Sequence, residues 1–126
     1  MSQSVAEVVV DTLIEAGAKR CWGIVGDTIN HLCDAIRRSD MRWVHVRHEE
    51  VGALAAGGEA YFTGELALCA GSAGPGSLHF VNGCERYLNR DSFWDQGRDV
   101  IAFPPISFRG RPRLGSSIQD TFVACC

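Results

Sequence analysis

Apolar and polar positions alternate along the first two-thirds of this chain in a way that predicts helix and strand in strict succession. Ser4-Val-Ala-Glu7 is a capping box, in which Ser4 and Glu7 satisfy two orphan amides at a helix start. Val5, Val8, Val9 and Leu13 then recur at helical spacing, and Gly17 is a natural stop. Residues 20–25, Arg-Cys-Trp-Gly-Ile-Val, form the short apolar run of a buried strand. Gly26 and Asp27 turn the chain, and Ile29, Leu32 and Ile36 lay an apolar stripe along a second helix. A second strand is predicted over residues 42–46 and a third helix from about Glu49 to Phe62, with Val51, Leu54 and Ala55 on one face. Residues 66–70 predict a third strand, which runs into the turn Gly71-Ser-Ala-Gly-Pro-Gly76, with a further helix beginning near Ser77.

Short apolar strands alternating with helices imply an α/β fold, a doubly wound parallel sheet with helices on both faces. Ligands in such sheets gather beyond the carboxyl ends of the strands. Gly26-Asp27, His48-Glu49 and Gly74-Pro75-Gly76 all fall at those ends, so the topology places them on one edge of the sheet. After about Gly83 the pattern breaks. Residues 84–99 are rich in charge and follow neither period, a strand is expected again at 100–103, and a Pro- and Arg-bearing loop follows through Arg113. The sheet is therefore expected to be incomplete toward the carboxyl end.

Composition narrows the classes without choosing among them. The 126 residues make one domain, or part of one, and can bury roughly two-thirds of their unfolded surface. Twelve basic against fifteen acidic side chains give a net charge of −3, which argues against a nucleic-acid partner. No apolar run reaches the ~18 residues of a membrane span. The acidic first turn is unlike a signal or transit peptide, so a cytoplasmic location is expected. The six cysteines lack C-x-x-C spacing, and the histidines supply no zinc partners for them, so neither a disulfide framework nor a metal is expected.

Each candidate site has a plainer reading beside it. The glycine turn at 71–76 is neither the dinucleotide fingerprint nor a phosphate loop, and by itself it is a strand-to-helix turn. His48-Glu49-Glu50 opens like the zinc motif H-E-x-x-H, but position 52 is Gly and the motif fails. Two glutamates at a helix start also complement the helix dipole. Asp27 could cap the segment beginning at Thr28, and the arginines from 109 to 113 read as a solvated loop.

Taken together, Val25-Gly26-Asp27, Arg47-His48-Glu49-Glu50 and Gly74-Pro75-Gly76 resemble the amino-terminal, pyrimidine-binding domain of thiamine diphosphate enzymes. Within that superfamily the stretch through GGEAYFTGELALCAGS and GPGSLHFVNG is most similar to pyruvate dehydrogenase (quinone), also called pyruvate oxidase. The resemblance covers residues 4–83 without gaps, and the whole chain, 1–126, is read as this one domain with a divergent part from 84 to 126.

The resemblance implies that Glu49 is the catalytic carboxyl, hydrogen-bonding the aminopyrimidine ring nitrogen opposite its amino group. Burial would raise its pKa and keep a proton available. It implies that Gly26 and Asp27 lie at the cofactor, and that Gly74, Pro75 and Gly76 let backbone approach the ring. Gln119 would match a glutamine lining the active site. It implies no metal ligand in this half of the site: magnesium and FAD would come only through domains with no counterpart here. Each site is built between subunits, so the expected partners are a homodimer or higher oligomer, or a chain supplying the diphosphate-binding domain. The full reaction implied is oxidative decarboxylation of pyruvate to acetate and carbon dioxide. Acetolactate synthase and oxo-acid decarboxylase are the neighbouring alternatives, and a non-catalytic cofactor-binding or dimerising fragment is the alternative of another class. By itself this polypeptide is expected not to turn over pyruvate. The mismatch over 84–99, followed by partial agreement at 114–121, leads us to expect two compensating frame changes in the gene.

Overall fold

The computed structural model of the chain describes residues 3–83 and, beyond them, the strand backbone at 101–102, 106–107 and 120–125. The first helix, α1 (Val5–Glu15), begins with the anticipated box: the Glu7 amide donates to Ser4 Oγ at 3.3 Å, and the Ser4 amide donates to Glu7 Oε2 at 2.7 Å. Strand β1 (Arg20–Gly23) leads into a 3-10 turn (Asp27–Ile29) and helix α2 (Asn30–Arg38). Strand β2 (Arg42–His45), helix α3 (Glu49–Thr63), strand β3 (Leu68–Gly71) and the short helix α4 (Pro75–His79) follow. α3 ends at Gly64, whose φ of +71° is the left-handed conformation that favours glycine at a helix end.

β1 lies between β2 and β3 and pairs in parallel with both, placing Trp22 opposite Val44 on one side and Cys69 on the other. The chain therefore moves outward from β1 to β2 through α2, then crosses back over β1 through α3 to reach β3. That reversal of winding direction is the switch point of a doubly wound α/β sheet. Period-two alternation then divides the strand residues between two layers. Cys21, Leu68 and Ala70 pack with α1 and α2 around Val10, Ile29, Leu32 and Ile36. Cys69 and the partly buried Trp22 face α3 and Phe80. Helices thus cover both faces.

Two expectations change here. The sheet is not parallel throughout: β6 (Asp120–Cys125) joins β3 antiparallel, and β4 (Ile101–Ala102) and β5 (Ile106–Ser107) pair antiparallel with β6. An antiparallel neighbour needs no crossover helix, so it can close a sheet where the helix–strand alternation has stopped. The strand expected at 100–103 is represented by β4. The helix after β3 starts at Pro75 rather than near Ser77, because proline suits a first helical turn.

The apolar face of α3 is also different. Gly52, Ala53, Ala56, Gly57 and Ala60 are the buried residues, while Val51 is 52% and Leu54 36% exposed. The cause is the closeness of α3 to the sheet: a Cβ on Gly52 would lie 3.3 Å from Val46 Cγ2 and 3.5 Å from the Trp22 carbonyl oxygen. Only small residues fit that approach, and the larger aliphatic side chains point away. Glu59 fixes the other end of the helix to β1, accepting from Arg20 Nε at 2.5 Å and Trp22 Nε1 at 2.6 Å. No helix among the described residues is long and apolar enough to cross a membrane. β5 falls within the stretch expected to be loop, whereas residues 84–99, 108–113 and Gln119 lie outside the described residues, and so does any bearing on the expected frame changes.

Candidate functional site

Glu49 is the first residue of α3, directly after β2, and its side chain is 13% exposed. His48 caps the helix, with its Nδ1 accepting from the Glu50 amide at 3.3 Å. Glu49 therefore sits where the helix end favours negative charge. Glu50 points elsewhere and accepts from Asn82 Nδ2 at 3.2 Å.

Two glycines from the next strand and turn form a wall against the Glu49 carboxyl. A Cβ on Gly76 would lie 2.9 Å from Glu49 Oε1, and one on Gly71 would lie 3.0 Å from Glu49 Cγ and 2.7 Å from the Phe80 ring. The chain reaches this position through Gly74, whose φ is +73°. The anticipated meeting of His48-Glu49 with the Gly74-Pro75-Gly76 turn is thus visible in the structure, with Gly76 rather than Pro75 against the carboxyl.

The Gly26-Asp27 segment joins the same edge through Thr28. Thr28 Oγ1 accepts from the Ala73 amide at 2.9 Å and shares a 2.9 Å hydrogen bond with Ser72 Oγ. A Cβ on Gly26 would lie 2.8 Å from Ser72 Oγ, so the β1 and β3 turns are pressed together. Asp27 itself is exposed and does not serve as a helix cap: Gly26 is the N-cap of the turn, and no side chain caps it. The reason is register, since the 3-10 turn begins one residue before Thr28 and takes Asp27 into its first position.

His79 was not singled out in the sequence. Its Nδ1 lies 3.0 Å from Glu49 Oε2, and its ring stacks on His48 with centroids 4.4 Å apart and planes 27° apart. The one available signal was the position of His79 within the turn-and-helix that carries Gly76. Burial is the largest single influence on Glu49 and pushes its pKa up. The His79 hydrogen bond, the Glu49 backbone amide, and the charges of His79 and His48 together outweigh it and hold the carboxyl below its ordinary value of 4.5. In this arrangement Glu49 is an ionised acceptor, not the raised carboxyl expected from burial alone. His48, Glu49 and His79 each present a ligand atom within 4.8 Å of the other two.

A cavity of about 460 Å³ has Val25, Cys33, Arg37, Met41 and Trp43 in its lining. Burial pushes the Cys33 thiol up, and Cys21, Cys33 and Cys69 form no disulfide among the described residues.

An α/β switch-point sheet with a largely buried carboxylate and a glycine turn at its carboxyl edge defines a class of ligand-binding domains, and sequence comparison specifies which. The family model described as "Thiamine pyrophosphate enzyme, N-terminal TPP binding domain" matches residues 3–89. The chain belongs to that family. Pyruvate oxidase of Lactiplantibacillus plantarum is 44% identical over 77 residues, covering 60% of this chain and 13% of that protein. An uncharacterized 42.6 kDa protein from the isoamylase 3′ region of Pseudomonas amyloderamosa is 60% identical over 80 residues, 63% of this chain and 20% of its own length. A probable acetolactate synthase large subunit of Methanocaldococcus jannaschii is 35% identical over 78 residues, 62% of this chain and 13% of that protein. The chain thus spans a fifth or less of the length of these relatives.

Proposed function

We propose that this chain supplies the pyrimidine-binding half of a thiamine diphosphate site in an enzyme of the pyruvate oxidase, or pyruvate dehydrogenase (quinone), type. The observation that carries the proposal is the Glu49 carboxylate, largely buried at the start of α3 and faced by Gly71 and Gly76. A Cβ at either glycine would fill the space beside the carboxyl, so their absence leaves room for a flat ring to lie against backbone. The chemistry of such a site, making a carbon nucleophile for attack on a 2-oxo acid, belongs to the thiamine cofactor when it is bound.

The residues of this chain bind, orient and handle a proton. Glu49 Oε1, on the glycine side, accepts from a protonated ring nitrogen or holds that proton between the two atoms. Oε2 stays with His79, which limits rotation of the carboxyl. A ring covering Glu49 removes more water, which favours the protonated carboxyl and works against the pull of His79. Thr28 and Ser72 keep the β1 and β3 turns together, so Gly26 and Asp27 border the same space.

The pyruvate oxidase type is favoured over the acetolactate synthase type because the pyruvate oxidase relative is 44% identical, against 35% for the acetolactate synthase relative. A second chain would bring the diphosphate and magnesium region, and FAD would reside on a further domain. Exposed apolar side chains beside the site suit that arrangement: Val51 on α3, Leu78 on α4 and Val81 are 52%, 69% and 52% exposed. The test is co-expression with a polypeptide carrying diphosphate- and flavin-binding domains, assayed for carbon dioxide release from pyruvate. Release that is lost in Glu49→Gln supports the proposal. Acetolactate as the product would move the chain to the acetolactate synthase type, and no turnover in a folded complex would refute the enzymatic reading.

A further inference from the structure

A ring bound against Glu49 would close off the carboxyl that has to exchange a proton with it. The Glu49 side chain is only 13% exposed, and a ring lying against Gly71 and Gly76 covers its Oε1 side. On the other side, Oε2 has one titratable hydrogen-bond partner among the described residues, His79, whose own side chain is 43% exposed. We propose that His79 relays protons between solvent and the Glu49 carboxyl. The inference rests on the cofactor reading above and adds to it the route by which Glu49 is reloaded.

An ionised carboxylate only accepts, so the 3.0 Å contact places a hydrogen on His79 Nδ1 and leaves the lone pair of the neutral ring on Nε2. Nε2 makes no hydrogen bond to the described residues. The imidazole can therefore take a proton at Nε2 as it gives one up at Nδ1. With Glu49 protonated on Oε1, the transfer is a single chain of exchanges. A hydronium ion protonates Nε2, Nδ1 passes its hydrogen to Oε2, and the carboxyl releases the Oε1 proton to the ring nitrogen. Bonds from hydrogen to Nε2, Oε2 and the ring nitrogen form while those to water, Nδ1 and Oε1 break, so one positive charge enters and one reaches the ring. Return of the ring's proton reverses each step and restores hydrogen on Nδ1. His48 offers no such path: it meets His79 face to face, with centroids 4.4 Å apart, and its Nδ1 already accepts from the Glu50 amide.

Nitrogen-15 NMR of the full chain at about pH 8.5, where ordinary histidines are neutral, tests the starting state without cofactor. The His79 signals, identified by their absence from His79→Gln, should report hydrogen on Nδ1 and a bare Nε2. In the co-expressed complex, hydrogen–deuterium exchange at the thiazolium carbon of bound thiamine diphosphate reads proton traffic at the ring. His79→Gln keeps a donor for Oε2 but cannot pass a proton through its amide. Exchange in it should slow by at least about tenfold while thiamine diphosphate affinity stays within about threefold. Added imidazole should restore exchange in His79→Ala and fail to do so in Glu49→Gln. A smaller slowing in His79→Gln, a slowing in His79→Ala that imidazole does not relieve, or hydrogen on Nε2 instead of Nδ1 would overturn the proposal. Undiminished exchange in Glu49→Gln would instead overturn the cofactor reading beneath it.

Discussion

Replacing Gly76 with alanine should separate the geometry of the Glu49 carboxyl from the stability of the domain. The new methyl would lie 2.9 Å from Glu49 Oε1 and 3.5 Å from its carboxyl carbon, so the oxygen must yield by about 0.5 Å to restore ordinary contact. The carboxyl has little room in which to yield. Gly71 backs its Cγ, and Oε2 is held by His79 at 3.0 Å. The remaining movement tips the carboxyl off His79 and stretches that bond toward the ~3.5 Å at which it ceases to count. Two effects follow. Loss of the His79 bond removes a cause that holds the Glu49 pKa down, while burial, which raises it, remains. Displacement of a positioning group by half an ångström should weaken thiamine diphosphate binding about tenfold, given that errors near 1 Å can cost about a hundredfold.

The assay for the first effect is a carbon-13 NMR titration of the glutamate carboxyls, with Glu49 assigned from the signal missing in Glu49→Gln; calorimetry reads the second. Gly58→Ala is the control. Gly58 lies within α3 with nothing inside 4 Å of a new Cβ, so that change should stabilise the domain by about 0.4–1 kcal/mol and leave Glu49 alone. An unmoved Glu49 titration together with unchanged cofactor affinity in Gly76→Ala would refute the reasoning.

Other consequences can be checked separately. His79→Ala should raise the Glu49 pKa by the same loss of partner; the stability Glu49 contributes, full above about pH 4.5 and lost as pH falls through its lower folded value, should shrink in acid denaturation of that variant. Glu59→Ala leaves Trp22 Nε1 and Arg20 without their shared acceptor and should cost about 2–3 kcal/mol in urea denaturation, below the usual ~3–5 for a fully buried pair because the Arg20 side chain is 37% exposed. Ser4→Ala removes the α1 cap and should cost about 1 kcal/mol at neutral pH. Glu7, held below 4.5 chiefly by its bonds to Ser4, should make that difference smaller as the solution is acidified through its folded pKa.

What could be read from the sequence follows the reach of local physics. The Ser4–Glu7 box, the stripe of Leu32 and Ile36, and the apolar runs of β1 and β3 are signals contained within a few residues, and the structure places each of them in its element, with Ile29 buried in the 3-10 turn just ahead of α2. The assembly of three strand ends on one edge was legible because parallel α/β topology alone dictates it. The buried face of α3 was not. Periodicity marks Val51 and Leu54 as apolar, but only the approach of β1 and β2 to Gly52 decides that small residues go inward. The partnership of His79 with Glu49 was equally hidden, being a contact across thirty residues that depends on where the Gly74 turn aims α4. The direction of the Glu49 pKa was misjudged for the same reason: burial is a local expectation, whereas its counterweight is that distant imidazole. The antiparallel pairing of β6 came after the alternation had ended, where no local period announces strand direction.

The account rests most heavily on Glu49 as the group that accepts the pyrimidine ring. Calorimetric titration of thiamine diphosphate into the co-expressed complex, with unaltered chain and with Glu49→Gln, tests it most directly. Saturable binding that falls at least tenfold in Glu49→Gln, with the complex still assembled, is the predicted result. Equal affinity in the two proteins would contradict the account.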